Sequence, residues 1–187
     1  QADDDWDGCS AGAAFICHRP VFAAGPAGSP ISPNLAGRLT AGFALCYQLN
    51  RTAKPALANR SLRDAEDIFA LADTSYADPA ASVDGGTCPS GCLLTIVPFD
   101  GYPETVWEDD MELGAAELSL ALESAGGAQN LPAGLPRTSA SYYLKQAAQF
   151  AQNYIANVYN RGYSDTLNLY DGSGLAHFEL ARAIVRA

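Results

Sequence analysis

The stretch Tyr102-Pro-Glu-Thr-Val-Trp-Glu-Asp-Asp-Met-Glu-Leu-Gly-Ala115 decides how the rest of the chain is read. A proline-containing loop gives way here to an apolar helix, and Glu104, Glu108, Asp109, Asp110 and Glu112 crowd the junction. Carboxylates at a helix start complement the partial positive charge of its unpaired N–H groups, so capping is one reading. The other is an oxygen-ligand site for a hard cation, because the adjacent Asp109 and Asp110 repel one another unless something positive sits between them. Beyond the junction, Met111, Ala115, Leu118 and Leu122 form one apolar side, and Leu113, Ala116 and Leu120 another. A helix apolar on two sides is expected to be buried between layers.

The neighbouring segments supply those layers. Residues 1–33 show neither helical nor strand periodicity and read as loop. Ser32-Pro33-Asn34 offers a helix cap, and Leu35, Leu39, Phe43, Cys46 and Tyr47 follow at helical spacing to about Asn50. A second helix is expected over residues 55–73, with Leu57, Leu62, Ala65, Ile68, Phe69 and Ala72 facing inward. A Gly/Pro/Asp-rich loop follows, holding Leu93–Val97 as a short extended piece. After a loop over 124–137, Thr138-Ser139 caps a fourth helix carrying Tyr143, Ala147, Phe150, Tyr154 and Val158. A fifth runs from about Gly174 to Arg186 through Leu175, Phe178, Ala181 and Val185. The fold class is therefore all-α, built of antiparallel helical hairpins with long loops and very little strand.

Composition narrows the function. The 187 residues suit one domain, with 48% hydrophobic residues for its core. A net charge of −10 argues against nucleic acid or an anionic membrane as partner, and no apolar run is long enough to span a bilayer. A neutral ligand such as a sugar is compatible with it. Gln1 is not an initiator, and Gln1 to Asp7 reads as the interior of something longer.

Cys88 and Cys92 sit four residues apart in a polar, Gly-rich loop and are expected to close a tight disulfide; Cys9 and Cys17 pair likewise. Cys46, among Phe43, Ala44, Leu45 and Tyr47, is most simply a buried apolar side chain. The sequons at Asn50 and Asn59 fit an extracellular setting.

Taken in order, several stretches resemble glycoside hydrolase family 9, whose members are mostly cellulose-degrading (α/α)6 barrels. They are Pro26-Ala-Gly-Ser-Pro-Ile-Ser-Pro-Asn-Leu-Ala-Gly-Arg-Leu-Thr-Ala-Gly-Phe-Ala44, the helix closing on Ile68-Phe-Ala-Leu-Ala-Asp-Thr74, Trp107-Glu-Asp-Asp-Met-Glu-Leu-Gly-Ala-Ala-Glu-Leu118, and Asp165-Thr-Leu-Asn-Leu-Tyr-Asp171. The resemblance covers residues 19–187 and corresponds to the middle of the family's barrel. It implies one domain over 1–187, a segment of a larger catalytic domain, with the remainder of the parent barrel as its partner.

Inverting hydrolysis of a glycosidic bond needs a carboxylate base to activate water and a carboxylic acid to protonate the leaving oxygen. The family's base lies in an Asp-Ala-Gly-Asp motif before the matched part, and its acid is a Glu after it. No Asp-Ala-Gly-Asp occurs here, so no catalytic residue is assigned and this chain alone is expected to be inactive. The family's structural calcium does carry over, onto Asp109, Asp110, the carbonyls of Thr105 and Val106, and Asp171. Tyr102 and Trp107 beside that loop, with His18 and Arg19 near the substrate loop, are the candidate sugar contacts. Cys9, Cys17 and His18 also resemble a zinc trio, but the loose spacing and missing fourth ligand favour a disulfide. His177 reads as a core or rim residue; Glu104, Glu108 and Glu112 read as solvated or as groups behind the metal ligands.

Three functions follow. One is a portion of a secreted family 9 glycosidase acting on a β-1,4-glucan. The alternative is a non-catalytic, calcium-stabilised carbohydrate-binding or structural helical module. The third is an α-solenoid scaffold unrelated to sugar, favoured if residues 105–110 lie far from Asp171.

Overall fold

The computed structural model describes residues 26–75, 106–158 and 172–187. Five helices occupy them: α1 (Pro33–Asn50), α2 (Pro55–Leu71), α3 (Glu108–Ser124), α4 (Ala140–Asn157) and α5 (Ser173–Arg186), with a 3-10 turn at Ala128–Asn130. Proline at the first position of α1 and α2 has its φ preset for a helix and lacks an N–H that would be unpaired there anyway. The Ser139 hydroxyl caps α4, accepting from the Tyr142 N–H at 3.3 Å. Ser32 stands at the cap position of α1 but its side chain makes no capping bond, contrary to the expectation from Ser32-Pro33-Asn34. The extended pairing present among the described residues is one isolated parallel bridge between Ile31 and Ala72. The expected extended piece Leu93–Val97 lies outside the described residues.

Cross-helix contacts set the directions. Arg38 meets Asp110 and Gln48 meets Glu117, so residue numbers rise together along α1 and α3. Gly172 lies against Asp109 and Asp110, and His177 meets Glu112, so α5 runs the same way. By contrast, Thr40 bonds the Ala65 carbonyl and Ser61 bonds Cys46, making α2 antiparallel to α1. Phe150 packs near Trp107 and Met111, whereas Tyr143 packs near Leu118 and Leu122, so α4 is antiparallel to α3. The result is a parallel layer of α1, α3 and α5 backed by the oppositely directed α2 and α4. This alternation is the packing of an all-α barrel of helical hairpins.

Helix α3 lies at the centre, as its two apolar sides require. Its buried residues run almost without break from Asp109 to Leu122, including Leu118 and Leu120 with no exposed surface. Burying each such leucine stabilises the fold by about 1.5–3 kcal/mol. Phe69 joins the back layer, set edge-on to Tyr143 at 5.5 Å and to Phe150 at 6.4 Å. Tyr143, Ala147, Phe150, Tyr154 and Val158 of the fourth helical segment are all buried, as their spacing predicts.

Two faces differ from expectation. On α1 the buried side is Ala36, Gly37, Thr40, Ala41, Ala44 and Tyr47, while Leu35 and Leu39 are exposed. On α5 it is Ser173, Ala176, Glu179, Leu180 and Ala183, while Leu175, Phe178 and Val185 are exposed, Val185 by 86%. Leu57 of α2 is likewise exposed. The reason is distance between backbones. A Cβ on Gly37 would lie 2.2 Å from the Asp110 carbonyl oxygen, and one on Gly114 would lie 2.8 Å from the Gly37 carbonyl oxygen. Helices this close must turn their small residues inward and their large ones away. Cys46 is half-buried rather than fully apolar in its surroundings, accepting from the Ser61 hydroxyl at 3.3 Å.

Two glycine variants separate close packing from helix propensity. Gly37→Ala forces α1 away from α3 and is expected to destabilise by about 2 kcal/mol or more, in the range of overpacked cores. Gly42, with open space around its Cβ position, is expected to gain about 0.5–1 kcal/mol as alanine. Chemical denaturation of both variants reads the difference, and equal effects would contradict the packing account.

Candidate functional site

The parallel layer brings one end of its helices together. The first turn of α3 carries Glu108, Asp109 and Asp110, and α5 begins at Gly172 and Ser173. Arg38 stands in the second turn of α1. Helix starts bear partial positive charge, so this end of the layer favours anionic side chains. Asp109 and Asp110 are nevertheless only 2% and 1% exposed. Two adjacent carboxyls so far from water need positive or hydrogen-bonding partners. One is Arg38, whose Nε donates to Asp110 Oδ1 at 2.8 Å.

The carboxylates also converge on α5. A Cβ added to Gly172 would lie 3.3 Å from Asp109 Oδ2 and 3.5 Å from Asp110 Oδ1. Both acids therefore lie against the start of α5 at Gly172. The backbone at Val106 and Trp107 leads directly into this turn. Asp171 and Thr105, the other side chain and carbonyl expected here, lie outside the described residues. Among the described residues no group of three or more His, Cys, Asp or Glu gathers as a metal cluster. Among the described residues the site is a pair of buried carboxylates, with the Arg38 guanidinium bonded to Asp110 and Gly172 lying against both.

One turn farther along α3, Glu112 is fully buried and its Oε1 meets His177 Nδ1 at 2.7 Å. Glu112 is thus an interior group hydrogen-bonded to His177, not the solvated one its position in an acidic run suggests. Burial pushes its carboxyl above the usual range, and the hydrogen bond and charge of His177 oppose that rise. His177 is half-exposed, at the rim, with its ring edge-on to Tyr154 at 5.4 Å. Two turns beyond Asp110, Glu117 Oε2 accepts from Gln48 Nε2 at 2.7 Å. In the back layer, Glu66 is buried and accepts from the Arg137 N–H at 3.2 Å. Burial raises the Glu66 carboxyl and the Tyr143 hydroxyl beside it.

Glu66, Glu117 and Glu179 carried no role in the sequence reading. A signal for Glu112 and Glu117 existed: a helix apolar on two sides and buried all round must bury the acids on its third side. Nothing comparable marks Glu66 or Glu179, whose helices have solvent faces.

Other expected site residues are spread differently. Trp107 packs into the core with Ala36, Met111 and Phe150, at 8% exposure and edge-on to Phe150 at 6.1 Å. A ring so covered offers little face to a sugar. Asn50 ends α1, its side chain bonded to the Cys46 carbonyl at 2.9 Å. Asn59 lies within α2, where the hydroxyl of its sequon, Ser61, is buried and bonded to the Leu57 carbonyl. Tyr102, His18, Arg19, Cys9, Cys17, Cys88 and Cys92 lie outside the described residues, and with them the disulfide and zinc alternatives. Among the described residues no helix is long and apolar enough to cross a membrane.

Comparison with known proteins adds one match. No curated protein and no solved structure matches this chain. The family description "Glycosyl hydrolase family 9" matches residues 2–176, which includes the first residues read above as loop and most of the chain. An all-α layer of parallel helices backed by antiparallel ones, carrying the acidic helix start at its end, fits that family's helical barrel. The chain belongs to glycosyl hydrolase family 9.

Proposed function

We propose that this chain forms a calcium-stabilised part of a secreted family 9 glycosidase that cleaves a β-1,4-linked glucan by inversion. The observation that carries the metal assignment is the approach of the buried Asp109 Oδ2 and Asp110 Oδ1, the latter also bonded by Arg38, to Gly172 at the start of α5. Both oxygens belong to buried carboxylates, and hard oxygen donors suit calcium, which takes six to eight of them at about 2.3–2.6 Å. Asp109 and Asp110 would hold the ion with the carbonyls of Thr105 and Val106 and the carboxylate of Asp171. Bound there, calcium would neutralise the acid pair and pin the start of α5 to the start of α3. Its role is structural. Gly172 lying against the acid pair weighs against the unrelated solenoid scaffold, which needs the two segments apart.

The sugar chemistry rests on family membership. The chain holds no Asp-Ala-Gly-Asp stretch, and we assign it neither the base nor the acid. Its own residues position the barrel wall, with a net charge of −10 that suits a neutral polysaccharide better than an anionic one. The sequons and cysteine pairs support an extracellular setting. The second reading, a non-catalytic helical module built on the same calcium site, is favoured by the same missing motif.

Calcium at about one hundred times its Kd is expected to stabilise the protein by about 2.7 kcal/mol, raising Tm by roughly 5–10 °C. Chelator reverses the rise, magnesium gives a smaller one, and Asp109→Asn with Asp110→Asn abolishes it; a Tm indifferent to calcium removes the site. Arg38→Ala is expected to lower Tm without calcium, because Asp110 loses the Arg38 guanidinium, and calcium is expected to recover much of that loss. Incubated with soluble β-1,4-glucan, the chain is expected to release no reducing sugar above the blank. Measurable release would place the catalytic carboxyls within it.

A further inference from the structure

Asp110 Oδ1 has two claims on it. It is one of the carboxylate oxygens lying against Gly172 at the start of α5, and so one that the calcium assignment uses. It also accepts the Arg38 Nε–H at 2.8 Å. Arg38 reaches it from α1, a helix that supplies none of the proposed calcium ligands. The close approach at Gly37, where an added Cβ would lie 2.2 Å from the Asp110 carbonyl oxygen, brings α1 near enough for that bond. Burial divides the partners: the Asp110 side chain is 2% exposed and that of Arg38 is 42% exposed. The guanidinium therefore stands partly solvated at the edge of the site, while the carboxylate it holds lies inside.

A guanidinium so placed has two opposite effects. Without metal it brings positive charge to two adjacent buried acids that would otherwise repel one another. Toward a dication at the same oxygen its charge is repulsive, and its hydrogen bond draws on the same lone pairs. We propose, resting on the calcium assignment above, that Arg38 is a built-in counter-cation that competes with calcium for Asp110. It keeps the chain folded without the metal and weakens the metal's binding. Linkage makes the effect reciprocal: by whatever factor calcium loosens the Arg38–Asp110 bond, that bond lowers calcium affinity. Such couplings run from about 5-fold to about 150-fold. Partial solvation screens the guanidinium and puts this one near the lower end, at about tenfold.

Calorimetric titration of the full chain with calcium chloride, in wild type, Arg38→Gln and Arg38→Lys, tests this. Glutamine keeps an N–H donor and removes the charge; lysine keeps the charge. Arg38→Gln is expected to bind calcium about tenfold more tightly than the wild type and to melt at a lower temperature without it. Arg38→Lys is expected to bind within about twofold of the wild type. An Arg38→Gln affinity equal to or weaker than that of the wild type overturns the proposal and leaves the calcium site standing. Equal tightening in Arg38→Lys does the same. Absence of binding in wild type and variants alike removes the calcium site, and the proposal with it. If Arg38→Gln folds only with calcium present, the counter-cation role is upheld, because the metal then replaces the missing charge. If it stays unfolded in millimolar calcium, the proposal is overturned.

Discussion

The contact between the backbones of α1 and α3 governs the rest of the structure. At Gly37 and Gly114 the two helices approach so closely that a single methyl group on either would enter the other's carbonyl oxygen. That approach lets Arg38 reach Asp110 and Gln48 reach Glu117. It also explains why α1 turns alanine, glycine and threonine inward and its leucines outward. Close packing between backbones replaces the interlocking of large side chains that a typical helix pair uses.

Placing α3 inside has an electrostatic consequence. A helix without a solvent face buries its acids as well as its leucines, and each acid then needs a partner from another helix. Asp110 takes Arg38, Glu112 takes His177, and Glu117 takes Gln48. These polar contacts occur at successive levels along the parallel layer, and they tie α1 and α5 to α3 in one register. The apolar core draws on all five helices, with Ala36, Ala44 and Tyr47 of α1 and Leu180 of α5 beside residues of α2, α3 and α4; the acids specify how the parallel helices align.

Much of this was legible in the residues. The run from Glu104 to Glu112, opening on a helix apolar on two sides, pointed to a buried central helix and to a concentration of carboxylates at its start. Proline at the first position of two helices and serine ahead of the fourth gave their beginnings. The order of motifs pointed to the family that the comparison then matched. The apolar periodicity of α1 and α5 misled because it identifies a helix without identifying which side its neighbours take. Leu35, Leu39, Leu175 and Phe178 have the spacing of a core stripe and lie outward.

Local rules, then, are enough to establish the all-α character, the helix limits and the acid-rich helix start, because propensity, capping and periodicity act within a few residues. Only the tertiary structure decides which carboxylates are buried and whom they meet. Glu112 and His177 are far apart in sequence, and nothing in either segment announces the other. Their pairing follows from the distance and direction at which α3 and α5 pack, and these depend on every helix in the layer at once.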